Sequence, residues 1–254
     1  MQTKQKNTGL VWYRNNLRVH DNQSLSLATE HHEKVIAVYF FNPKDFIEDA
    51  YGFKKTAKYR AAFLIDTIKD LQLNLEDKNI TLLVYSESPE KKISELCKEY
   101  SIGSIYTQKE WTKEEVDSNN LIKKSLSKDV KFIENYDQFL YHPDSVAKDF
   151  SKIPAVFSVF RKTVEKSVKI DKEKTFLQLP LTNRIENSTQ IPSIEDLGFD
   201  NFIAPTKTAF PFHGGESEAL KRIDEYFFKS KKVAVYKKTR NGLIGKDYST
   251  KFSP

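Results

Sequence analysis

The sequence is poor in the residues that build disulfides and metal centres. It contains a single cysteine, Cys97, and five histidines that show no metal-binding spacing. One cysteine excludes an intrachain disulfide and a cysteine-rich zinc site. We therefore expect a protein of a reducing compartment, the cytoplasm, with no bound metal.

Long apolar segments are also absent. The longest run, VIAVYFF at 35–41, is far shorter than the roughly 20 residues that span a bilayer. The N-terminal segment MQTKQKNTGL lacks the apolar core of a secretory signal. No membrane association is expected.

The usual phosphate-binding and nucleophile motifs are missing as well. Neither G-x-G-x-x-G nor the Walker A loop occurs, and there is no G-x-S-x-G turn around a serine. Common nucleotide-binding enzymes and serine hydrolases of these types are thereby set aside.

What the sequence does contain is an alternation of strand and helix patterns. Five apolar runs are continuous, which is typical of strands covered on both faces. They begin at Gly9, Lys34, Ile80, Ser104 and Val130. Amphipathic segments separate them, and in the longest, residues 55–77, the apolar positions follow helical spacing. The pattern predicts a doubly wound α/β domain over residues 1–175, with a five-stranded parallel sheet of order 3-2-1-4-5 and helices on both faces.

Residues 176–213 have a different character. This segment contains four prolines and little periodicity, which predicts a long interdomain linker. A new helix pattern, GGESEALKRIDEYFF, follows at 214–228 and begins a further segment, 214–254. The spacing predicts an apolar face made of Ala219, Leu220, Ile223, Tyr226 and Phe227.

Positive charge is concentrated in this last segment. The whole chain carries a net charge of +6, and residues 221–240 contain eight basic and two acidic residues. Such clustering favours a polyanionic partner, although a merely lysine-rich surface would give the same composition.

Several motifs, in order along the chain, resemble those of one family. They are LVWYRNNLRVHDNQSL at 10–25, GFKKTAKYRAAFLIDTIKDL at 52–71, VFSVFRKTVEK at 156–166, GGESEALKRIDEYFF at 214–228 and YKKTRNGLIGKDYSTKFSP at 236–254. Together they resemble DNA photolyases and cryptochromes of the DASH branch. The resemblance implies that the chain corresponds to the N-terminal part of such a protein, with 214–254 as the truncated start of an α-helical FAD-binding domain.

The resemblance assigns cofactor and DNA contacts to the C-terminal tail. FAD would be contacted by six residues: Tyr236, Ser249, Thr250, Lys251, Phe252 and Ser253. Hydroxyls and backbone N–H groups in a glycine-containing turn suit a pyrophosphate, but the same residues also fit an ordinary turn before a helix. Arg240 lies where family members contact the DNA backbone.

A second chromophore is implied for the α/β domain. DASH members bind an antenna, most often the reduced folate 5,10-methenyltetrahydrofolate, and a carboxylate can accept the adjacent N–H donors of its pterin ring. Glu114 best matches the family's pterin-binding glutamate, with Glu110 and Glu115 as close alternatives in TQKEWTKEE. Acidic residues at a helix N-terminus, favoured by the helix dipole, explain the same pattern.

The activity implied by the resemblance is blue-light-driven repair of cyclobutane pyrimidine dimers in DNA. The enzyme would be a monomeric deoxyribodipyrimidine photo-lyase acting on single-stranded DNA, where a base is flipped most cheaply. This chain by itself is expected to be inactive and to hold no catalytic residue. The alternatives are a light-sensing cryptochrome without repair activity and, more remotely, a stand-alone nucleotide-binding α/β domain.

Overall fold

The computed structural model of the chain describes residues 8–147, 150–208, 210–242 and 247. The chain divides into two compact units. The first comprises residues 1–16, 20–38 and 90–183, and the second comprises residues 17–19, 39–89 and 184–254. Among the described residues, no helix has both the length and the apolar character needed to cross a bilayer.

Five strands form one sheet. They are β1 (Thr8–Trp12), β2 (Lys34–Phe40), β3 (Leu82–Tyr85), β4 (Ile102–Gln108) and β5 (Lys131–Asn135). β1 pairs in parallel with β2 and with β4, and β4 pairs in parallel with β5. The order is β3-β2-β1-β4-β5, so the predicted fold class is confirmed. β1 and β4 are buried along their whole length, as continuous apolar runs predict.

Eight α-helices are described. They are α1 (Gln23–His31), α2 (Lys58–Glu76), α3 (Pro89–Glu99), α4 (Lys113–Ser125), α5 (Pro143–Val146), α6 (Phe157–Ser167), α7 (Glu216–Ile223) and α8 (Tyr236–Thr239). α7 continues directly into a π-helix, Asp224–Lys229.

Within the first unit, α1 lies against β1, β4 and β5. Its start is fixed by Asn22, whose Oδ1 accepts the N–H of Leu25 at 3.0 Å. This side chain satisfies one of the backbone donors that a helix leaves unpaired at its N-terminus. Leu25 and Ala28 then bury the apolar side of the helix completely.

Within the second unit, α2 and α7 approach each other very closely. A Cβ built on Gly214 would lie 2.0 Å from the carbonyl oxygen of Phe63 and 2.4 Å from Oγ1 of Thr67, both on α2. Next to it, the carboxylate of Asp70 accepts the N–H of Ser217 at 3.1 Å, in the first turn of α7. The absence of a side chain at Gly214 therefore allows α7 to approach α2 closely, and Asp70 on α2 satisfies a backbone N–H at the N-terminus of α7.

The proline-bearing connection contains little regular structure. Between Val168 and Gly215 the described residues hold only turns and one 3-10 helix, Leu181–Asn183. Its side chains nevertheless bond to strand backbone. In the second unit, Thr189 Oγ1 accepts the N–H of Val84 at 2.9 Å, and Asn187 Nδ2 donates to Leu82 O at 3.0 Å. The connection thus occupies the hydrogen-bonding groups of the edge strand β3.

The buried face of α7 differs from the predicted one. Leu220 is 44% exposed, whereas Arg222 and Tyr226 are buried. The guanidinium of Arg222 lies 5.1 Å from the ring centroid of Phe212 and 4.9 Å from that of Tyr226. Tyr226 is buried as predicted, and its ring together with that of Phe212 gives the buried guanidinium of Arg222 a favourable cation–π environment.

Substitution of Gly214 by alanine should destabilise the second unit. The added methyl group would meet a backbone carbonyl that has no room to move, so we expect a loss on the order of 3 kcal/mol in the free energy of unfolding. Chemical denaturation of the variant measures this loss.

Gly52→Asn is the matched control for Gly214→Ala. Gly52 has φ +79°, and no atom lies within 4 Å of the position that a Cβ would occupy there. Asparagine tolerates this backbone conformation, so the control should lose little stability. Equal losses in the two variants would contradict the close-packing explanation.

Candidate functional site

The candidate site lies in the first unit, where three neighbouring parallel strands end. β1 ends at Trp12, β4 at Gln108 and β5 at Asn135. The chain order reverses between β1 and β4, because β1 leads to β2 on one side while β4 lies on the other. In open α/β sheets, the crevice at such a reversal is the usual ligand site. Polar and charged residues follow all three strands here.

Glu110 is the most buried acidic residue at this edge. Its side chain is 7% exposed, and its Oε1 accepts hydrogen bonds from Asn15 Nδ2 at 2.9 Å and Gln108 Nε2 at 2.8 Å. The second oxygen, Oε2, accepts no hydrogen bond from the described residues. Desolvation raises the pKa of Glu110 above its ordinary value, although the hydrogen bond from Gln108 and the charge of Arg14 oppose the shift.

Arg14 provides the positive charge of the crevice. Its Nη1 donates to Asn119 Oδ1 at 3.0 Å, and its guanidinium lies 4.7 Å from the ring centroid of Trp12. Burial lowers the pKa of Arg14, while Glu110, Glu115 and Glu134 raise it. The crevice therefore contains one partly buried cation among several carboxylates.

The polar residues after β1 and β5 hold each other in place. Asn16 is buried, and its Nδ2 donates to Asp137 Oδ2 at 3.1 Å. Asp137 Oδ1 also accepts the N–H of Gln23 at the start of α1, at 2.9 Å. These bonds position the loop that carries Arg14 and Asn15.

The three glutamates considered for the antenna occupy different environments. Glu110 lies in the crevice. Glu115 forms a capping box with Thr112, since its Oε2 accepts both the N–H (3.2 Å) and the hydroxyl (2.7 Å) of that residue. Glu114 is exposed in the first turn of α4. Of the three glutamates, the structure thus places only Glu110 in the crevice at the ends of the strands.

Sequence reasoning missed Arg14, Asn15 and Gln108 as site residues. A signal was present, because Arg14 and Asn15 directly follow the buried strand β1 and Gln108 ends β4. The motifs that resemble the family indicated the C-terminal segment 236–254 as the cofactor site instead.

The tail is only partly described. Tyr236 begins α8 and is 42% exposed, whereas Ser249, Thr250, Lys251, Phe252 and Ser253 lie outside the described residues. The assignment of these six residues to FAD therefore stays a prediction.

Some basic side chains near Arg240 are paired with acidic residues, and others form no ion pair with the described residues. Lys229 is paired with Asp224 at 2.6 Å, and Lys232 is paired with Asp247. By contrast, Lys237, Lys238 and Arg240 form no ion pair with any residue that the structure describes. They are exposed and follow one another around α8.

Comparison with known proteins identifies the family. The sequence profile of the DNA photolyase family matches residues 9–180, which include the three strands that end at the crevice and the first residues of the linker. The chain belongs to the DNA photolyase family.

Relatives within this family are cryptochromes of the DASH type. The chain is 36% identical to Cryptochrome DASH of Gloeobacter violaceus, over 100% of this chain and 50% of that protein. It is 34% identical to the chloroplastic/mitochondrial Cryptochrome DASH of Arabidopsis thaliana, over 100% of this chain and 45% of that protein. The chain thus spans about half the length of these relatives.

A solved photolyase-family structure has the same fold. The crystal structure of Synechocystis cryptochrome superposes with a TM-score of 0.86 at 32% identity, covering 97% of this chain and 51% of that one. The similarity to DASH members extends over the whole chain, including the residues that follow the α/β sheet.

The raised pKa of Glu110 predicts a pH dependence of stability. A carboxyl group whose pKa is higher in the folded than in the unfolded chain stabilises the fold fully below the unfolded value, about 4.3. This contribution is lost as pH rises through the folded pKa. Glu110→Gln removes the titrating group, so its stability relative to wild type should increase as pH rises above about 4.

Urea denaturation at a series of pH values measures this difference. Glu114→Gln removes the same charge from the same loop outside the crevice and serves as the matched control. A wild-type minus Glu110→Gln difference that does not change with pH would show that Glu110 titrates normally.

Proposed function

We propose that the chain is the antenna-binding part of a blue-light-driven, FAD-dependent lyase that repairs cyclobutane pyrimidine dimers in single-stranded DNA. Membership of the DNA photolyase family supports the reaction class. The observation that carries the antenna role is the buried carboxylate of Glu110, which keeps one acceptor oxygen without a partner among the described residues.

The polar groups of the crevice suit a ligand ring that carries N–H donors, such as the pterin of 5,10-methenyltetrahydrofolate. Oε2 of Glu110 accepts no hydrogen bond from the described residues and is therefore available to accept a ligand N–H. Among Glu110, Glu114 and Glu115, we propose Glu110 as the pterin acceptor. Its neighbours Asn15 and Gln108 fix the orientation of the carboxylate.

The chain's own residues bind and orient, and bound cofactors supply the photochemistry. The chemistry that folate and reduced flavin supply is light absorption and electron donation to the dimer. Arg14 keeps a positive charge beside Glu110 and so favours its ionised, hydrogen-bond-accepting form. No described residue is assigned to dimer splitting.

For the remainder of the chain we propose the organisation indicated by the motifs. Residues 1–175 form the antenna domain, 176–213 the linker, and 214–254 begin the flavin domain, with Tyr236 and Ser249–Ser253 at the FAD. We also propose a monomer located in the cytoplasm, where the single buried cysteine would stay reduced.

Light-driven repair by the protein expressed from its complete reading frame tests this proposal. An ultraviolet-irradiated oligothymidylate should regain its thymine absorbance under blue light with reduced flavin present, and a single strand should react faster than a duplex. The same reaction in the dark is the control. Residues 1–254 alone should purify without stoichiometric FAD, because one wall of a site does not offset the cost of immobilising a dinucleotide.

Absence of repair by a protein that binds and photoreduces FAD would favour the second candidate, a light-sensing cryptochrome. The names of the DASH relatives favour that candidate as the alternative. A yellow, catalytically active 254-residue chain would contradict the proposed division between antenna and flavin domains.

DNA binding by the cations of α8 gives a separate prediction. We expect Arg240→Ala to weaken binding of a single-stranded oligonucleotide without sequence preference. For every phosphate that the variant no longer neutralises, the slope of log affinity against log salt should fall by about 0.7. Lys229→Ala is the matched control, because Lys229 is already paired with Asp224. Equal effects of the two substitutions would contradict a specific role for Arg240.

A further inference from the structure

One asparagine of the chain is followed directly by glycine. It is Asn241, before Gly242, and every other asparagine precedes a residue that carries a side chain. The backbone nitrogen after an asparagine can attack the side-chain amide carbon and close a five-membered ring, and a side chain on that following residue hinders the attack. Because glycine has no Cβ, ring closure is least hindered at this one position in the sequence.

The structure leaves both residues accessible. Asn241 and Gly242 are exposed and directly follow the end of α8. No hydrogen bond joins the Asn241 side chain to any residue that the structure describes. Gly242 N–H donates to the carbonyl oxygen of Thr239 at 2.8 Å, so this one bond has to open before the nitrogen can attack. Since helix ends fray and α8 has only four residues, opening here costs little free energy.

The reaction needs only this chain and water. The Gly242 nitrogen forms a bond to Cγ of Asn241 while the C–N bond of the side-chain amide breaks. Ammonia leaves and takes the proton of the backbone nitrogen. Water then opens the resulting succinimide at either carbonyl, which gives aspartate or isoaspartate. A neutral amide is thereby replaced by one carboxylate, without oxidant or reductant.

The new carboxylate would lie beside the cations of α8. Arg240 directly precedes Asn241, and Lys237 and Lys238 lie within the preceding turn. These three cations are exposed and form no ion pair with any described residue. One added negative charge therefore offsets one of three positive charges that are available to a partner.

We propose that Asn241 is a site of spontaneous deamidation and that its product weakens the binding of polyanions by the cations of α8. The modification itself does not depend on the proposed function, whereas its effect on single-stranded DNA rests on the proposed role of Arg240. A carboxylate repels a phosphate oxyanion and competes with it for Arg240. The affinity of the chain for DNA therefore falls as the molecule ages.

Incubation of the chain at neutral and at mildly alkaline pH, followed by trypsin and mass spectrometry, tests the modification. Trypsin releases residues 241–246 as one peptide, because it cleaves after Arg240 and Lys246. This peptide should gain the mass that replacement of NH2 by OH gives. The gain should be faster at the higher pH, because the deprotonated backbone nitrogen is the nucleophile.

Asn201 is the internal control for the modification. It is exposed like Asn241, but the next residue, Phe202, carries a bulky side chain that hinders ring closure. Asn201 should therefore be modified more slowly in the same sample.

Binding of a single-stranded oligothymidylate by Asn241→Asp measures the effect of the new charge. The slope of log affinity against log salt should fall by about 0.7, so the loss relative to wild type should grow about five-fold for every ten-fold decrease in salt. Asn241→Gln is the matched control, because glutamine keeps a neutral amide and would have to close a less favourable six-membered ring. It should bind as wild type does and keep its affinity during the incubation.

The outcomes separate the modification from its effect. Modification of Asn241 no faster than that of Asn201 would overturn the site. Equal binding by Asn241→Asp and Asn241→Gln, whether weakened or not, would overturn the effect of the new charge. Failure of wild type to bind the oligonucleotide would overturn the proposed role of Arg240 and the effect on DNA, while the mass spectra would still decide the modification.

Discussion

Complete burial of β1 and β4 is the constraint on which the rest of the first unit depends. Asn16, Gln108 and Glu110 end or follow these strands and are buried, so their polar groups need hydrogen-bond partners within the protein. Asn16 with Asp137, and Asn15 and Gln108 with Glu110, are the result. The same bonds hold the loops rigidly at the point where the chain order reverses. The hydrogen bonds that these buried groups require therefore give the crevice a fixed shape.

In the crevice, one hydrogen-bond acceptor of Glu110 has no partner among the described residues. Glu110 is buried with one oxygen unpartnered among the described residues, and Arg14 is partly buried beside it; burial disfavours the charged form of each. An apolar pair of similar size would avoid this cost. Groups whose pKa is shifted by burial and held in a cleft are frequent at functional sites.

The irregular connection contributes to the sheet through side chains. In the first unit, Asn183 Oδ1 accepts the N–H of Val35 at 2.9 Å, and its Nδ2 donates to the carbonyl of the same residue at 3.0 Å, much as a neighbouring strand would. In the second unit, Asn187 and Thr189 bond to β3 in a similar way. An exposed strand edge invites pairing with other chains, and these amide and hydroxyl groups block it. Such a segment can lack regular structure and still be held in place.

The sequence alone determined the sheet, its order and the family, because continuous apolar runs and ordered motifs are local properties of the chain. It also limited the predicted antenna carboxylate to three glutamates of a single loop. Only the tertiary structure distinguished them, since Glu110, Glu114 and Glu115 are equivalent in residue type and differ in burial and partners. The stacking of Trp111 on Tyr136 joins residues that follow two different strands, and the buried guanidinium of Arg222 contacts the rings of Phe212, in the irregular segment before α7, and Tyr226. Such features are decided by packing between distant segments, which the spacing of residues along one segment does not specify.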